Sequence, residues 1–349
     1  MKVIQVGIGG MGNAWLNAVL KSREVEYAGF VEINDSIAET QAAHYGLDRS
    51  HIFHSLDEAL SAVEADGVID VTPPQFHQQV SITALEAGIP VLSEKPLADT
   101  LDAARAIVRK ANETGVLHMV AQNRRYMIAT QTLKQLIESG RMGKIASVSV
   151  EFFKGPHFGG FREQMPYPLV IDMAIHHFDL MRFFLSSDAI SLFGRSWNPP
   201  WSWYRGDASA SLVLEFGNGI PVSYDGSWCS TGVETAWNGH WRFECENGVI
   251  LMRDEQVYVQ PRLDERLDAG GFWQYKNDDL MLVPPAQPAY TDQSYLLHEF
   301  YEAVTNGRAP ATTCQDNIRS LTIVFGALRS FETGGVVQMN EMLDTRISG

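Results

Sequence analysis

Met1-Lys2-Val3-Ile4-Gln5-Val6-Gly7-Ile8-Gly9-Gly10-Met11-Gly12 is the stretch whose reading decides the fold. The apolar run from Lys2 to Val6 predicts a buried strand, and the helical pattern over Met11–Lys21 follows with only the glycine-rich turn between. Gly7, Gly9 and Gly12 stand at G-x-G-x-x-G spacing. In such a turn the first glycine permits the tight strand-to-helix bend. The second lets backbone approach a pyrophosphate, and the third lets helix and strand pack closely. The helix N-terminus then offers N–H groups and the positive dipole end to phosphates. Glu32 ends the second strand, 20 residues after Gly12, where a carboxylate accepts hydrogen bonds from an adenosine ribose and repels a 2′-phosphate. No Arg or Lys follows in Ile33-Asn34-Asp35-Ser36, so NAD is expected over NADP. A ligand-free glycine turn with a solvated Glu32 is the bland alternative.

Working outward, short apolar runs alternate with helical patterns up to about residue 120. The strands are expected at Lys2–Val6, Glu26–Val31, Ile52–Phe53, Gly67–Val71, Pro90–Leu92 and Leu117–Val120. Helices lie between them, one opened by Ser55 and Glu58 at capping-box spacing and others stopped at Gly88 and Gly115. Strands that alternate with helices predict right-handed βαβ units and a doubly wound parallel sheet. After Gln122 the pattern changes. A helix (Ala129–Ser139), a long strand (Ile145–Phe153) and a helix (Val170–Phe184) precede a strand-rich stretch from Ile190 to Gln260, and two helices close the chain, Asp292–Thr305 and Gln315–Glu332. The expected architecture is therefore α/β plus α+β. A Rossmann domain over 1–121 precedes a mostly antiparallel, open-sheet domain over 122–349, with the closing helices left free to pack back on the first domain. The two are expected to meet along a cleft.

Composition narrows the classes. The 349 residues are 45% hydrophobic and 20% charged, with 42 acidic against 27 basic side chains and a formal net charge of −15. Such a surface repels phosphate backbones and anionic headgroups, so neither nucleic acid nor membrane is an expected partner. The first residues run straight into a strand with no secretion signal, and no stretch approaches the ~20 apolar residues of a membrane span. Cys229, Cys245 and Cys314 are few and widely spaced, which fits a reducing, cytoplasmic compartment.

Ligands of a parallel sheet lie beyond its strands' carboxyl ends, which directs attention to Thr72-Pro73-Pro74-Gln75-Phe76-His77 and to Ser93-Glu94-Lys95-Pro96. A lysine there could steady a developing alkoxide; a surface Glu–Lys pair is the alternative. The candidate cofactor contacts are Gly7, Ile8, Gly9, Gly10, Met11, Gly12, Glu32, Thr72, Pro73, Pro74, His77, Glu94, Lys95 and Gln122. In the second domain, Asp172 and His176 are four apart on an expected helix and so share a face. Imidazole is a natural acceptor for an alcohol proton. The pair is otherwise a plain helix-surface contact, or, with His177, a metal-ligand set; no HExxH motif or third-ligand cluster accompanies it, so no metal is expected. The aromatic run Trp197-Asn198-Pro199-Pro200-Trp201-Ser202-Trp203-Tyr204 suits either sugar stacking or a subunit interface.

These pieces resemble the family of glucose–fructose oxidoreductase, inositol 2-dehydrogenase and the rhizopine-catabolism protein MocA. The matching segments are Gly7-x-Gly9-x-x-Gly12, Thr72-Pro73 with His77, Glu94-Lys95-Pro96, Asn123-Arg124-Arg125-Tyr126, Asp172-Met173-Ala174-Ile175-His176 and the closing Arg329-Ser330-Phe331-Glu332-Thr333-Gly334. The resemblance spans essentially the whole chain. It implies an NAD(H)-dependent dehydrogenase of a sugar, glycoside or cyclic polyol with Lys95, Asp172 and His176 as its catalytic group. Asn123 and Arg125 then either shape the substrate site with those three or act as hinge residues. It also implies a homodimer or homotetramer built through the open sheet. Met127-Ile128-Ala129 stands where the family commonly has a proline. Two other functions share the motifs: a glycosidase that uses tightly held NAD for transient oxidation, and a non-catalytic cofactor-binding regulator.

Overall fold

The computed structural model describes residues 1–268 and 270–343, so residues 344–349 of the expected second domain lie outside the described residues. The described chain divides into two units, one of residues 1–123 with 289–321 and one of residues 124–288 with 322–343.

In the first unit β1 (Lys2–Val6), β2 (Glu26–Val31), β3 (Ile52–Phe53), β4 (Gly67–Asp70), β5 (Val91–Ser93) and β6 (His118–Val120) form one sheet in the order β3-β2-β1-β4-β5-β6. Every neighbouring pair is parallel. The crossovers are α1 (Gly12–Leu20), α2 (Asp35–Tyr45), α3 (Leu56–Ala62), α4 (His77–Glu86) and α5 (Leu101–Thr114). Val3, Ile4, Val68, Ile69, Val91 and Leu92 are fully buried, as strands covered on both faces require. The helix ends follow their sequence signals. Asn34, Ser55 and Thr100 cap α2, α3 and α5 through their side chains, and Gly46 and Gly115 end α2 and α5 in the left-handed region. The Ser55 cap is not the reciprocal box that Glu58 suggested, because the Glu58 carboxylate accepts from the His54 amide instead.

The second unit holds α6 (Ile128–Glu138), β7 (Ile145–Phe153), α7 (Ile175–Leu185), β8 (Ala189–Trp197), β9 (Ser209–Phe216), β10 (Pro221–Ser227), β11 (His240–Cys245), β12 (Gly248–Arg253), β13 (Gln256–Asp268), β14 (Trp273–Asn277) and β15 (Met281–Leu282). Next along the chain come α8 (Asp292–Asn306) and α9 (Cys314–Thr333), then β16 (Val337–Gln338) and α10 (Met339–Met342). The sheet order is β14-β13-β12-β11-β7-β10-β9-β8-β16, with β15 on β13. Pairing is antiparallel except between β7 and β10, which run parallel from Val148–Val222 to Phe153–Ser227. Burial alternates along β9, β10 and β11. The covered face carries Leu212, Leu214, Tyr224, Trp241 and Phe243, and α7 packs on it through Phe178 and Phe184, whose rings lie 5.6 Å from Tyr224 and 5.2 Å from Trp241. The opposite face keeps Ile190, Phe193 and Val213 exposed.

Within the first unit α8 lies against α1 and the start of β4. Phe300 is fully buried there, and a Cβ on Gly67 would come within 2.8 Å of its ring. No helix among the described residues is long and apolar enough to cross a membrane.

Candidate active site

The parallel register gathers one set of candidate residues on a single edge. Val6 pairs with Val31 and Asp70, Asp70 with Ser93, and Ser93 with Val120. The residues that follow these strand ends are Gly7, Glu32, Thr72, Glu94-Lys95 and Gln122, so all of them leave the sheet on the same side. At Gly7 the backbone φ is +87° and a Cβ would meet the Val71 carbonyl oxygen at 2.9 Å; at Gly12 it would meet the Gly7 oxygen at 2.7 Å. Both positions demand glycine. Beside Gly10, in contrast, a Cβ would meet nothing within 4 Å. The loop is thus tight underneath and open above, which fits a pyrophosphate laid on its amides. The Glu32 carboxylate accepts from the amides of Ile8 (3.3 Å) and Asn34 (3.0 Å). It is braced at the turn, and among the described residues no lysine or arginine pairs with it, an arrangement that suits a ribose diol.

Three acidic or imidazole groups underlie the lysine loop. Asp70 is fully buried; Oδ1 accepts from the Thr72 amide and hydroxyl, while Oδ2 has no hydrogen-bond partner among the described residues. Burial pushes its carboxyl above the usual carboxylate range, and His77 and Thr72 offset this only in part. Glu94 is also pushed up by burial, against the opposing bond from Trp15 Nε1 (2.8 Å) and the charge of Lys95. His77, expected among the cofactor contacts, is fully buried, with Nδ1 2.8 Å from the Pro96 carbonyl and Nε2 2.8 Å from the Thr72 carbonyl. Its ring ties together the two loops that carry Thr72 and Lys95. Gln122 is buried, and both amide atoms lack a hydrogen-bond partner among the described residues. Ile8 is buried in the core, Met11 is exposed, and Pro73 and Pro74 form the turn into α4.

In the second unit the helix expected over Val170–Phe184 does not begin as an α-helix. Leu169–Ala174 is a π-helical turn, and α7 starts at Ile175. Asp172 therefore stands on a widened turn and His176 in the first turn of α7. Such insertions recur at functional sites because they re-aim side chains without ending the helix. His176 is 7% exposed. The Asp172 carboxylate accepts from Arg162 Nε at 2.6 Å. Arg162 was not singled out in the sequence, since it lies in a short 3-10 turn, Gly160–Gln164, that no periodicity marks. His177 is a core residue. It is fully buried, with Nδ1 3.2 Å from the Tyr224 hydroxyl and Nε2 3.3 Å from the Trp237 carbonyl, and burial, then the charge of Arg124, pushes its pKa down to about 3.

Arg125, expected either to shape the substrate site or to act as a hinge residue, pairs with Asp179. It is 4% exposed and grips Asp179 through Nε (2.6 Å) and Nη2 (2.7 Å), the forked geometry in which guanidinium holds carboxylate most firmly. Asn123 opens the short turn Asn123–Tyr126 ahead of this pair. In the aromatic run, Tyr204 is buried while Trp197 and Trp201 are exposed. A groove of about 370 Å³ lined by Lys134, Met142, Ile145, Ser186 and Cys245, among others, contains none of the candidate residues. No group of three or more His, Cys, Asp or Glu side chains suited to a metal occurs among the described residues.

Comparison with known proteins adds a second line. A family model described as an oxidoreductase family with an NAD-binding Rossmann fold matches residues 1–122, and its companion C-terminal domain model matches residues 130–251. An uncharacterised protein of Sinorhizobium fredii, y4oX, is 29% identical over 99% of this chain and 97% of its own length. The scyllo-inositol 2-dehydrogenase (NAD(+)) of Bacillus subtilis is 28% identical over 81% of this chain and 80% of its own. An oxidoreductase of Agrobacterium radiobacter, solved with NAD+, L-tartaric acid and magnesium, superposes with a TM-score of 0.85 at 19% identity, covering 98% of this chain and 99% of the other. At that identity the likeness speaks for the fold.

Proposed function

Because the chain belongs to the oxidoreductase family of glucose–fructose oxidoreductase, inositol dehydrogenase and MocA, with its NAD-binding Rossmann fold, we propose that it moves a hydride between NAD and a secondary alcohol of a sugar, glycoside or cyclic polyol. Relatives named as inositol 2-dehydrogenases support the polyol class. The preference for NAD over NADP rests on Glu32. Its carboxylate, with no lysine or arginine paired to it among the described residues, accepts hydrogen bonds from ribose hydroxyls and opposes a 2′-phosphate.

When bound, NAD supplies the ring that takes up the hydride; the other tasks fall to side chains. The glycine loop and Glu32 orient the dinucleotide. His176 removes the proton of the reacting hydroxyl, Lys95 stabilises the charge that grows on the oxygen, and Asp172 hydrogen-bonds the substrate beside it. The observation that carries the reading is the π-helical turn entering α7, which brings Asp172 and His176 onto one short segment with His176 almost wholly withdrawn from water. Asn123 is proposed to help line the substrate site, and Arg125 to hold its framework through Asp179. The exposed face of β8 and β9 is proposed to pair with a second copy in a homodimer or homotetramer.

The test is absorbance of reduced nicotinamide while the full chain and NAD+ meet a panel of sugars, glycosides and inositols. One or more substrates should yield NADH. Lys95→Ala and His176→Ala should each lower kcat by roughly 10²- to 10⁴-fold, the usual worth of a positioned acid or base. Full turnover in either variant overturns its assignment, and sugar release without net NADH replaces the dehydrogenase with the glycosidase.

A further inference from the structure

Arg162 belongs to the segment 154–164, which is fixed at several points within the second unit. The Lys154 ammonium lies 2.7 Å from Glu234 and over the Trp237 ring, and the Gly155 amide donates to Glu234 at 2.9 Å. The Pro156 carbonyl accepts from Trp203 Nε1 (3.1 Å) and the Tyr204 hydroxyl (2.8 Å). His157 stacks on Trp203 at 3.8 Å. Gly159 donates to Glu163 at 2.8 Å, and the Glu163 carbonyl accepts from the Arg205 amide. The segment is a built wall, with Lys154 held at its start and Arg162 near its end.

Three features of that guanidinium stand together. Its Nε reaches Asp172 at 2.6 Å, while Nη1 and Nη2 make no hydrogen bond to any described residue. Its Cζ lies 5.3 Å from the centre of the Phe158 ring and 4.9 Å from that of Phe161, and both rings are substantially exposed. Behind Phe158, 5.2 Å from it, is Trp228, 1% exposed, whose indole N–H finds no acceptor among the described residues. A guanidinium can donate to neutral hydroxyls, but its charge and forked donors match a carboxylate better than any neutral group. An anion presented to a bare carboxylate would be repelled; beside Asp172 it meets instead the Arg162 guanidinium, with the N–H donors of Nη1 and Nη2 outstanding. Two parallel donors are the arrangement that grips a carboxylate.

We propose that Arg162 makes this site selective for hydroxylated acids, that is, sugar or polyol substrates bearing a carboxylate such as uronic and aldonic acids. Nη1 and Nη2 receive the substrate carboxylate while Nε stays on Asp172. The distance between the acid group and the reacting carbinol is thereby set by a residue of the catalytic group. The assignment rests on the dehydrogenase reading above and narrows its substrate class.

The experiment pairs D-glucuronate, D-galacturonate, D-gluconate and D-galactonate with D-glucose, D-galactose, sorbitol and galactitol. It follows NADH formation and, separately, saturable change of intrinsic tryptophan fluorescence in the NAD+-loaded full chain. At least one acid should exceed its neutral counterpart by tenfold or more in kcat/KM. In Arg162→Ala that ratio should collapse toward one through a rise in KM for the acid, and Arg162→Lys, which keeps the charge but not the fork, should recover only part of it. Neutral substrates that equal the acids, or an acid-to-neutral ratio untouched by Arg162→Ala, overturn the proposal and leave the dehydrogenase standing. Acids that bind by fluorescence in an Arg162-dependent way without any NADH formation sustain the proposal and remove the dehydrogenase reading. Absence of both turnover and binding for every acid overturns it.

Discussion

Of the buried histidines, three outside the proposed catalytic group differ in what the surroundings demand. His77 bridges two backbone carbonyls, and His177 sits between the Tyr224 hydroxyl and a carbonyl. His118 is 2.9 Å from the Ser81 hydroxyl and is pushed down to about 3, by burial first and by the charge of His77 second. A histidine whose pKa is depressed by folding holds fewer protons than the unfolded chain between the two pKa values. Its contribution to stability is therefore complete above about 6.5 and is lost as pH falls toward about 3, at up to about 1.4 kcal/mol per pH unit. Asp70 and Glu94, pushed up by burial, act with the opposite sign, so the comparison must isolate one residue. His118→Asn, which keeps a partner for Ser81, should lose less stability than the parent between pH 7 and pH 5 in urea titrations. Equal losses would show that His118 is not a source of the acid sensitivity. At this scale Gly7, Gly12, Glu32 and Lys95 were legible in the sequence because strand ends and turn chemistry mark them. Arg162 was not, since its partner Asp172 is ten positions away with no periodic relation to it, and the pairing of Arg125 with Asp179, 54 positions on, left no local mark either.

Among the elements, the segment entering α7 shows best where periodicity stops informing. The apolar spacing of Val170–Phe184 predicts one helix, and the chain remains helical throughout, yet its first turn is π-helical. A single inserted residue leaves the burial pattern almost unaltered while it changes which side chains share a face. The β13–β14 hairpin was missed for a related reason. Arg262, Asp264, Glu265, Arg266 and Asp268 give a charged run with no apolar alternation, and the strands are held by cross-strand contacts of Arg262 over Tyr275 and Arg266 over Trp273. The open-sheet character, in contrast, was readable from alternation along β9 and β10. Val213, 56% exposed beside Phe193 and Ile190, lies on the face proposed to meet a second copy. Val213→Asp should shift the chain toward monomer in size-exclusion chromatography with light scattering, at a cost of under ~0.5 kcal/mol in the isolated subunit, since surface changes are mild. A parent that is already monomeric removes the proposed interface.

On the scale of the whole molecule, the six-stranded parallel sheet followed from the alternation of short strands and helices, each crossover being long enough to return the chain for a parallel neighbour, and its order β3-β2-β1-β4-β5-β6 was seen only in the structure. What the linear text conceals is that 289–321 belongs with the first unit. The contacts responsible, such as Phe300 under Gly67 and His298 on Glu24, join residues more than two hundred positions apart, beyond the reach of any local pattern. A cofactor that binds only the folded chain stabilises it as a whole by mass action, by about 2.7 kcal/mol at a hundred times its Kd. NAD+ should therefore raise the Tm by several degrees, and NADP+ at the same concentration should raise it less, given the carboxylate of Glu32. Equal shifts would remove the expected preference.

The parallel contact between β7 and β10 also bears on how the second unit comes together. β8, β9 and β10 are consecutive in the chain and pair in that order, so they can zip up locally, as can β11 to β13. Neither meander supplies the strand that lies between them. β7 comes earliest in the chain and must be received on both edges at once, antiparallel to β11 and parallel to β10. Its closure fixes a long intervening loop before the reward of pairing arrives, the circumstance that slows folding. Val148, Val150 and Phe152, buried at that seam, are thus the residues whose truncation should retard refolding rather than merely hasten unfolding, which makes β7 the kinetic keystone of its sheet.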